Sequence, residues 1–212
     1  MIGRRALLAG GAALTAVPAN AALPPNLHFQ VLRNGSPIGK HVIDFRQDGA
    51  SQIATIAVDI VVRLGPIVLY RYELRASEAW RDGRFQTLEC ETNDNGTRIS
   101  LKARLAADRV TVDVAGKPPV ALAATAMPLT HWSHLCMERP LFNPEDGEAI
   151  DSRVVVRGEE MVPLADGRSV RATHYSLVGK VALDSWYDAA RTWTSLSSIG
   201  TDGSRIEYRR AG

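Results

Sequence analysis

Cysteine is scarce in this chain: Cys90 and Cys136 are the only two in 212 residues. No Cys-x-x-Cys pair exists, so the usual dithiol and zinc-ribbon motifs are excluded. Two readings of the pair stay open. A bridge would close the loop from 90 to 136 and contribute about 3–4 kcal/mol in the chain-entropy picture, and two separately buried thiols fit equally well. A glycine-rich phosphate loop is missing, and so is a Gly-x-Ser-x-Gly nucleophile elbow. No apolar run beyond residue 21 approaches the roughly 20 residues of a membrane-spanning helix. Net charge is absent as well. The chain has 25 Lys+Arg against 23 Asp+Glu, and residues 1–21 hold Arg4 and Arg5 but no acid. The rest is therefore neutral and offers no case for nucleic acid or an acidic membrane surface. There is no solenoid-type repeat and no low-complexity tract.

The N-terminus reads as an address, not as fold. Arg4-Arg5 precede a weakly apolar run of small residues from Ala6 to Val17, and Pro18-Ala19-Asn20-Ala21 supplies an A-x-A cleavage site. This is an export signal cut after Ala21, of twin-arginine type although its full consensus is incomplete. Residue 22 is Ala, not Cys, so no lipid anchor is indicated. The expected domains are a cleaved signal over 1–21 and one β-domain over 22–212, a length that supports a single sizeable core. The expected location is periplasmic or secreted, with no stable membrane insertion after cleavage.

Within the domain the dominant signal is alternation. In Thr97 to Leu105, Ile99, Leu101, Ala103 and Leu105 alternate with Arg98, Ser100, Lys102 and Arg104. That is a strand with one buried and one wet face. Val110, Val112 and Val114 repeat the pattern. Turn chemistry separates such runs at Asn34-Gly35, Asp48-Gly49, Asp82-Gly83, Asn95-Gly96 and Ala107-Asp108; Asn-Gly and Asp-Gly suit tight hairpins because both central residues need positive φ. Further strands are expected from 149 to 162, 170 to 178, 181 to 187, 192 to 199 and 205 to 209. Between the two meanders, Pro128 opens and Pro140 closes a segment that fits one short helix near 129–138. The expected fold is mainly β: an antiparallel meander of about ten or more strands forming a barrel or half-barrel.

Few residues carry chemistry, and each has a plain structural alternative. Glu78 shares strand parity with Tyr70, Tyr72, Leu74 and Trp80. A carboxylate on that face must be paired, hydrogen-bonded or protonated. It is either a polar group in a ligand cavity or a strand-end residue paired with Arg81 or Arg84, the second being favoured. His131, His134 and Cys136 form H-x-x-H-x-C, so two imidazoles share a helical face as weak metal candidates, with Glu138 or His174 to complete a site. Ser133 lies between the histidines, and Asp184 or Asp188 would have to orient a base. The plain reading is a helix covering the core with its histidines at the rim. Trp186 and Tyr187 point to opposite faces, so one of them must leave the core.

Glu78-x-Trp80-x-Asp82-Gly83-Arg84, the opening "NGSPIGKH", the Asn93-to-Gly96 turn, the Trp132 segment, Trp186-Tyr187-Asp188 and the closing Asp202-Gly203-Ser204 together resemble an exported bacterial family, domain-of-unknown-function family 6134. The resemblance covers nearly all of the mature chain. It implies an exported, mainly antiparallel β-domain and transfers no activity, substrate or cofactor to any residue. The function expected is non-enzymatic binding of an apolar or amphipathic molecule, a hydrophobic small molecule or lipid, in a concavity lined by Tyr70, Tyr72, Glu78, Trp80 and Trp132. No catalytic residue, cofactor or metal is assigned. An envelope scaffold acting through protein contacts is one alternative, and a hydrolase or metal-dependent enzyme using His131 and His134 is another.

Overall fold

A computed structural model describes residues 23–212. The expected export signal and its cleavage site lie outside the described residues. The strands are β1 (Leu27–Arg33), β2 (Ser36–Asp48), β3 (Ser51–Leu64), β4 (Ile67–Arg81), β5 (Arg84–Asp94), β6 (Thr97–Ala106), β7 (Arg109–Val114), β8 (Val120–Ala123), β9 (Met127–Pro128), β10 (Leu141–Phe142), β11 (Ser152–Pro163), β12 (Ser169–Gly179), β13 (Leu183–Asp188), β14 (Trp193–Ile199) and β15 (Arg205–Arg210).

Thirteen of them form one antiparallel sheet in the order β11-β12-β13-β14-β15-β1-β2-β3-β4-β5-β6-β7-β8. The chain thus makes two meanders, and the pairing of β1 with β15 joins them in the middle of the sheet. Among the described residues β8 and β11 have a neighbour on one side only, so the sheet curls as a half-barrel without closing. The tight turns are as the dipeptides require. Asn34 and Gly35 have φ of 48° and 80°, and Asp82 and Gly83 have 51° and 67°. Both are positive, as in the hairpin turns that match strand twist.

Alternation decides what the curl encloses. Ala54, Ile56, Val58 and Ile60 of β3, Leu101 and Ala103 of β6, and Val110 and Val112 of β7 are all buried in one core cluster. Arg71, Arg75, Lys102 and Arg104 point to solvent. Residues 124–150 run along the concave side as an internal link. Parallel pairing of β9 with β10 pins its ends together. Met127, Leu129, Cys136, Met137, Leu141 and Phe142 of this link are buried in the same cluster.

The helix expected over 129–138 shrinks to one 3-10 turn, His134–Met137. His131 adopts a left-handed φ of 67°, and Ser133 makes no side-chain capping bond. A β-carbon residue in that conformation interrupts a right-handed helix, so only the last turn before Pro140 survives. Packing against the sheet, not local propensity, shapes the link.

Both cysteines are free thiols. Cys90 lies 3.8 Å from the Thr92 hydroxyl and Cys136 lies 3.1 Å from the Tyr187 hydroxyl. Burial pushes each thiol up to about 12, so neither is reactive as a thiolate. A bulge between Trp186 and Tyr187 separates that pair. Tyr187 joins the main core, while Trp186 packs with Val162 and Ala172 in a second, smaller cluster.

Candidate functional site

The link fills only part of the half-barrel. A cavity of about 740 Å³ remains between it and the strands β2, β3, β4, β14 and β15. Its walls are aliphatic. Ile38, Ile56, Val58, Ile60, Val62 and Leu74 come from one side, Leu196 and Ile206 from the other, and Leu129 from the link. This follows from the period-two pattern: the inward positions of β3 are 54, 56, 58, 60 and 62, and every one is apolar. Size and lining match an apolar small-molecule site with a few converging polar groups.

Those polar groups fall into two sets. At the mouth, Tyr70 and Tyr72 stand with Asp94, Glu145, Arg33 and Asp202. Tyr72 donates a short hydrogen bond to Glu145. Burial raises the Tyr72 hydroxyl far above its usual range, and burial likewise raises Glu145, which the Tyr72 bond partly offsets. Arg33 holds Asp202 at 2.5 Å, and Asp202 also accepts from the Ser204 amide at 2.9 Å and the Ser204 hydroxyl at 2.6 Å. The Ser204 bonds, with Arg33 behind them, keep Asp202 well below the usual carboxylate range.

Deeper in, β2 supplies His41 and the link supplies Thr130 and His131. His41 is inward because it shares parity with Ile43, and it packs edge-on to Trp193 at 5.3 Å between centroids. His131 stacks on Trp193, 5.1 Å between centroids with the rings 23° apart. Burial, reinforced by neighbouring His131, pushes His41 down to about 3. Burial pushes His131 down to about 4. Protein surrounds His131, yet it keeps some accessible surface because that surface faces the cavity. Both rings are therefore neutral near pH 7. Among the described residues, Nδ1 and Nε2 of His41, Nδ1 of His131 and Oγ1 of Thr130 have no hydrogen-bond partner.

The residues expected to line a ligand site separate into two places. Tyr70 and Tyr72 line the cavity. Glu78, Trp80 and Trp132 are not among its lining residues and meet one another beneath it. Glu78 is fully buried, and its Oε2 accepts from Trp80 Nε1 at 2.7 Å and Trp132 Nε1 at 3.1 Å. The favoured expectation of a rim residue paired with Arg81 or Arg84 is corrected: two indoles, not a guanidinium, hold this carboxylate, because its strand position faces the link. Phe45 and Phe85 close the cluster around the two tryptophans.

His131 and His134 do not converge. His134 sits against Tyr175, Nε2 to hydroxyl 3.1 Å, with Glu138 3.3 Å from Nδ1. His174 stacks on Trp186 and bonds Asp184 at 2.9 Å. Among the described residues no group of three or more His, Cys, Asp or Glu is placed to hold a metal ion. Asp184 also accepts from Ser176, and Asp188 pairs with Arg210 at 3.1 Å, so neither carboxylate orients a base beside Ser133. Sequence reasoning missed His41, Thr130 and Leu196. His41 alone left a trace, as a titratable residue in the inward register of β2.

The model of the family described as domain of unknown function (DUF6134) matches residues 29–211. A search of curated proteins finds no match. Among solved structures, the chain is similar to a β-barrel-like protein of domain of unknown function DUF1849 from Brucella abortus. The TM-score is 0.61 at 10% identity, covering 88% of this chain and 95% of that one. The likeness is one of fold. The chain belongs to the DUF6134 family.

Proposed function

We propose that this DUF6134 protein is an exported, non-enzymatic binding protein that holds an apolar or amphipathic molecule inside its half-barrel. The observation that carries this reading is the cavity of about 740 Å³ with aliphatic walls from β2, β3, β4, β14 and β15. Cores normally pack to the density of organic crystals, with few voids larger than a water molecule. An aliphatic space of this size stands far outside that norm and suits a ligand. The export reading rests on the Arg4-Arg5 pair, the apolar run and the A-x-A site in the sequence.

The test is mass spectrometry under native conditions on protein released gently from its own host. A co-purifying species in the mass range of a lipid is expected. Val58→Trp projects an indole into the cavity and is expected to abolish retention while the circular dichroism of the sheet is unchanged. Wild-type protein that carries nothing and takes up no apolar fluorescent probe overturns the reading.

A further inference from the structure

The hairpin joining β3 to β4 stands clear of its neighbours. Pairing of β3 with β2 ends at Ile60 opposite Gly39, and pairing of β4 with β5 ends at Tyr72 opposite Asp94, with one further bond from the Asn95 amide to the Arg71 carbonyl. From Val61 to Tyr70 the two strands pair only with each other, up to Leu64 opposite Ile67 across the Gly65-Pro66 turn. Four residues at about 3.3 Å each carry the tip roughly 13 Å past Ile60. The stretch from Leu64 to Tyr70 holds no charged residue. Leu64, Ile67, Val68 and Leu69 are 67%, 60%, 41% and 53% exposed. Single exposed apolar residues are ordinary, but a contiguous group marks an interaction surface.

The shape of this group selects what it meets. Ile67 and Val68 are consecutive in a strand, so they point to opposite faces, and both are exposed. A partner protein laid on a sheet face would cover one side only. A narrow projection that is apolar on both faces is a wedge, and a lipid bilayer covers all of it. Charge agrees. Arg63 lies across the hairpin from Val68 and has no acidic partner among the described residues, and Arg71 flanks the other strand, 3.3 Å from Glu73. At that level guanidinium groups meet lipid phosphates while their stems stay among apolar groups. Asp94 and Asp202 stand at the cavity mouth behind the tip, so a zwitterionic surface suits the protein better than a strongly anionic one. The outer edges of the protruding strands carry unpaired backbone groups, which hydrocarbon cannot satisfy. The wedge therefore seats in the interface and goes no deeper.

We propose that this tip docks the protein on a zwitterionic lipid bilayer, with Leu64, Ile67, Val68 and Leu69 entering the interface shallowly and reversibly. Val62, Leu69 and Tyr70 also line the cavity, so docking turns the cavity mouth toward the bilayer. Ile199, 68% exposed at the end of β14, joins the same rim, because Gly200 and Thr201 beside it line the mouth. The docking surface goes beyond the binding function above and holds whether or not the cavity is filled.

The experiment is cosedimentation of the full-length mature protein with vesicles of phosphatidylcholine. Binding is expected, and it is expected to persist in high salt, because apolar burial and not charge carries it. Leu64→Ser combined with Ile67→Ser is expected to weaken partitioning at least about tenfold, while circular dichroism and uptake of an apolar fluorescent reporter in water stay as in wild type. Val156→Ser combined with Met161→Ser removes two comparably exposed apolar residues from β11, away from the mouth, and is expected to leave partitioning unchanged. An indole placed by Ile67→Trp is expected to shift its emission to the blue on vesicles and to be quenched by brominated lipid chains. Wild-type protein that stays in the supernatant, equal losses in the two double variants, or a tip that instead joins a second copy of the chain overturns the docking. Failed reporter uptake with vesicle binding intact removes the cavity reading and leaves the docking standing.

Discussion

Glu78 is the residue where local chemistry is most constrained. It is fully buried, two indole N–H groups donate to one of its oxygens, and the other oxygen has no partner among the described residues. The Thr130 hydroxyl lies near enough to Glu78 to lower its pKa, together with the indoles of Trp80 and Trp132. Burial outweighs these donors and pushes the carboxyl up to about 7. The sign follows from linkage. Between an unfolded pKa of 4.5 and the folded value of about 7, the folded state binds more protons than the unfolded state, so stability falls as pH rises through that window. The full fall is about 3 kcal/mol. Glu78→Gln presents an uncharged carbonyl to the same indoles and titrates nowhere in this range. Urea unfolding at pH 4.5 and pH 8 is expected to show wild type losing stability relative to the variant by that amount. Parallel pH profiles for the two proteins would refute the assignment.

At the scale of the element, β2 controls how closely the sheet wraps the cavity. Gly39 pairs with Ile60 of β3 and lies opposite Val31 of β1, beside the bulge between Val31 and Leu32. A β-carbon on Gly39 would collide with the Asp59 carbonyl oxygen and stand 2.8 Å from the Ile60 α-carbon. Both obstacles are backbone, so nothing flexible can give way. Two positions along the same face is His41. Gly39→Ala is expected to lower stability by about 2–3 kcal/mol, as overpacking does, and to weaken apolar-reporter binding by pushing the β2 wall of the cavity away from β3. A urea midpoint equal to wild type would show that β2 has slack at this point. The link illustrates the opposite balance. Its prolines and apolar residues suggested a helix, but parallel pairing of Met127–Pro128 with Leu141–Phe142 and insertion of Trp132 beside Trp80 leave it only one 3-10 turn.

The whole molecule depends on one long-range junction. β1 and β15 are the first and last strands in sequence, yet their pairing alone joins the two meanders in the sheet. β15 also places Ile206 and Tyr208 in the cavity wall. Deleting residues 205–212 is expected to abolish cooperative thermal unfolding and reporter binding together. A truncated chain with an unchanged melting transition would mean that the halves fold independently. The free margin at β11 is guarded. β11 carries a bulge at Arg157, beside Gly158 with its φ of 116°, and exposes Arg153, Arg157, Glu159 and Glu160. Bulges and charges along an edge discourage strand addition by other copies.

Much of the fold was legible in the chain itself. Alternation at Ile99 to Leu105, and Asn-Gly and Asp-Gly at the turns, are local signals: each depends on pleat geometry and backbone sterics a few residues wide. They determined the antiparallel meanders, which faces are apolar, and that Tyr70 and Tyr72 point inward. They also placed Glu78 on an apolar strand face, where a carboxylate needs a partner, but favoured a rim position and an arginine over the buried site with two indoles that the structure shows. What they could not supply is which inward residues meet across the concavity. Glu78 finds Trp132 over a separation of 54 residues, and His41 approaches His131 only because the link crosses the curl at that depth. The separation of Cys90 from Cys136 and the open margin between β8 and β11 belong to the same class. Period-two spacing assigns a side chain to a face, but only the curvature of thirteen paired strands assigns it a neighbour on the far wall, and the cavity exists in the space that curvature leaves.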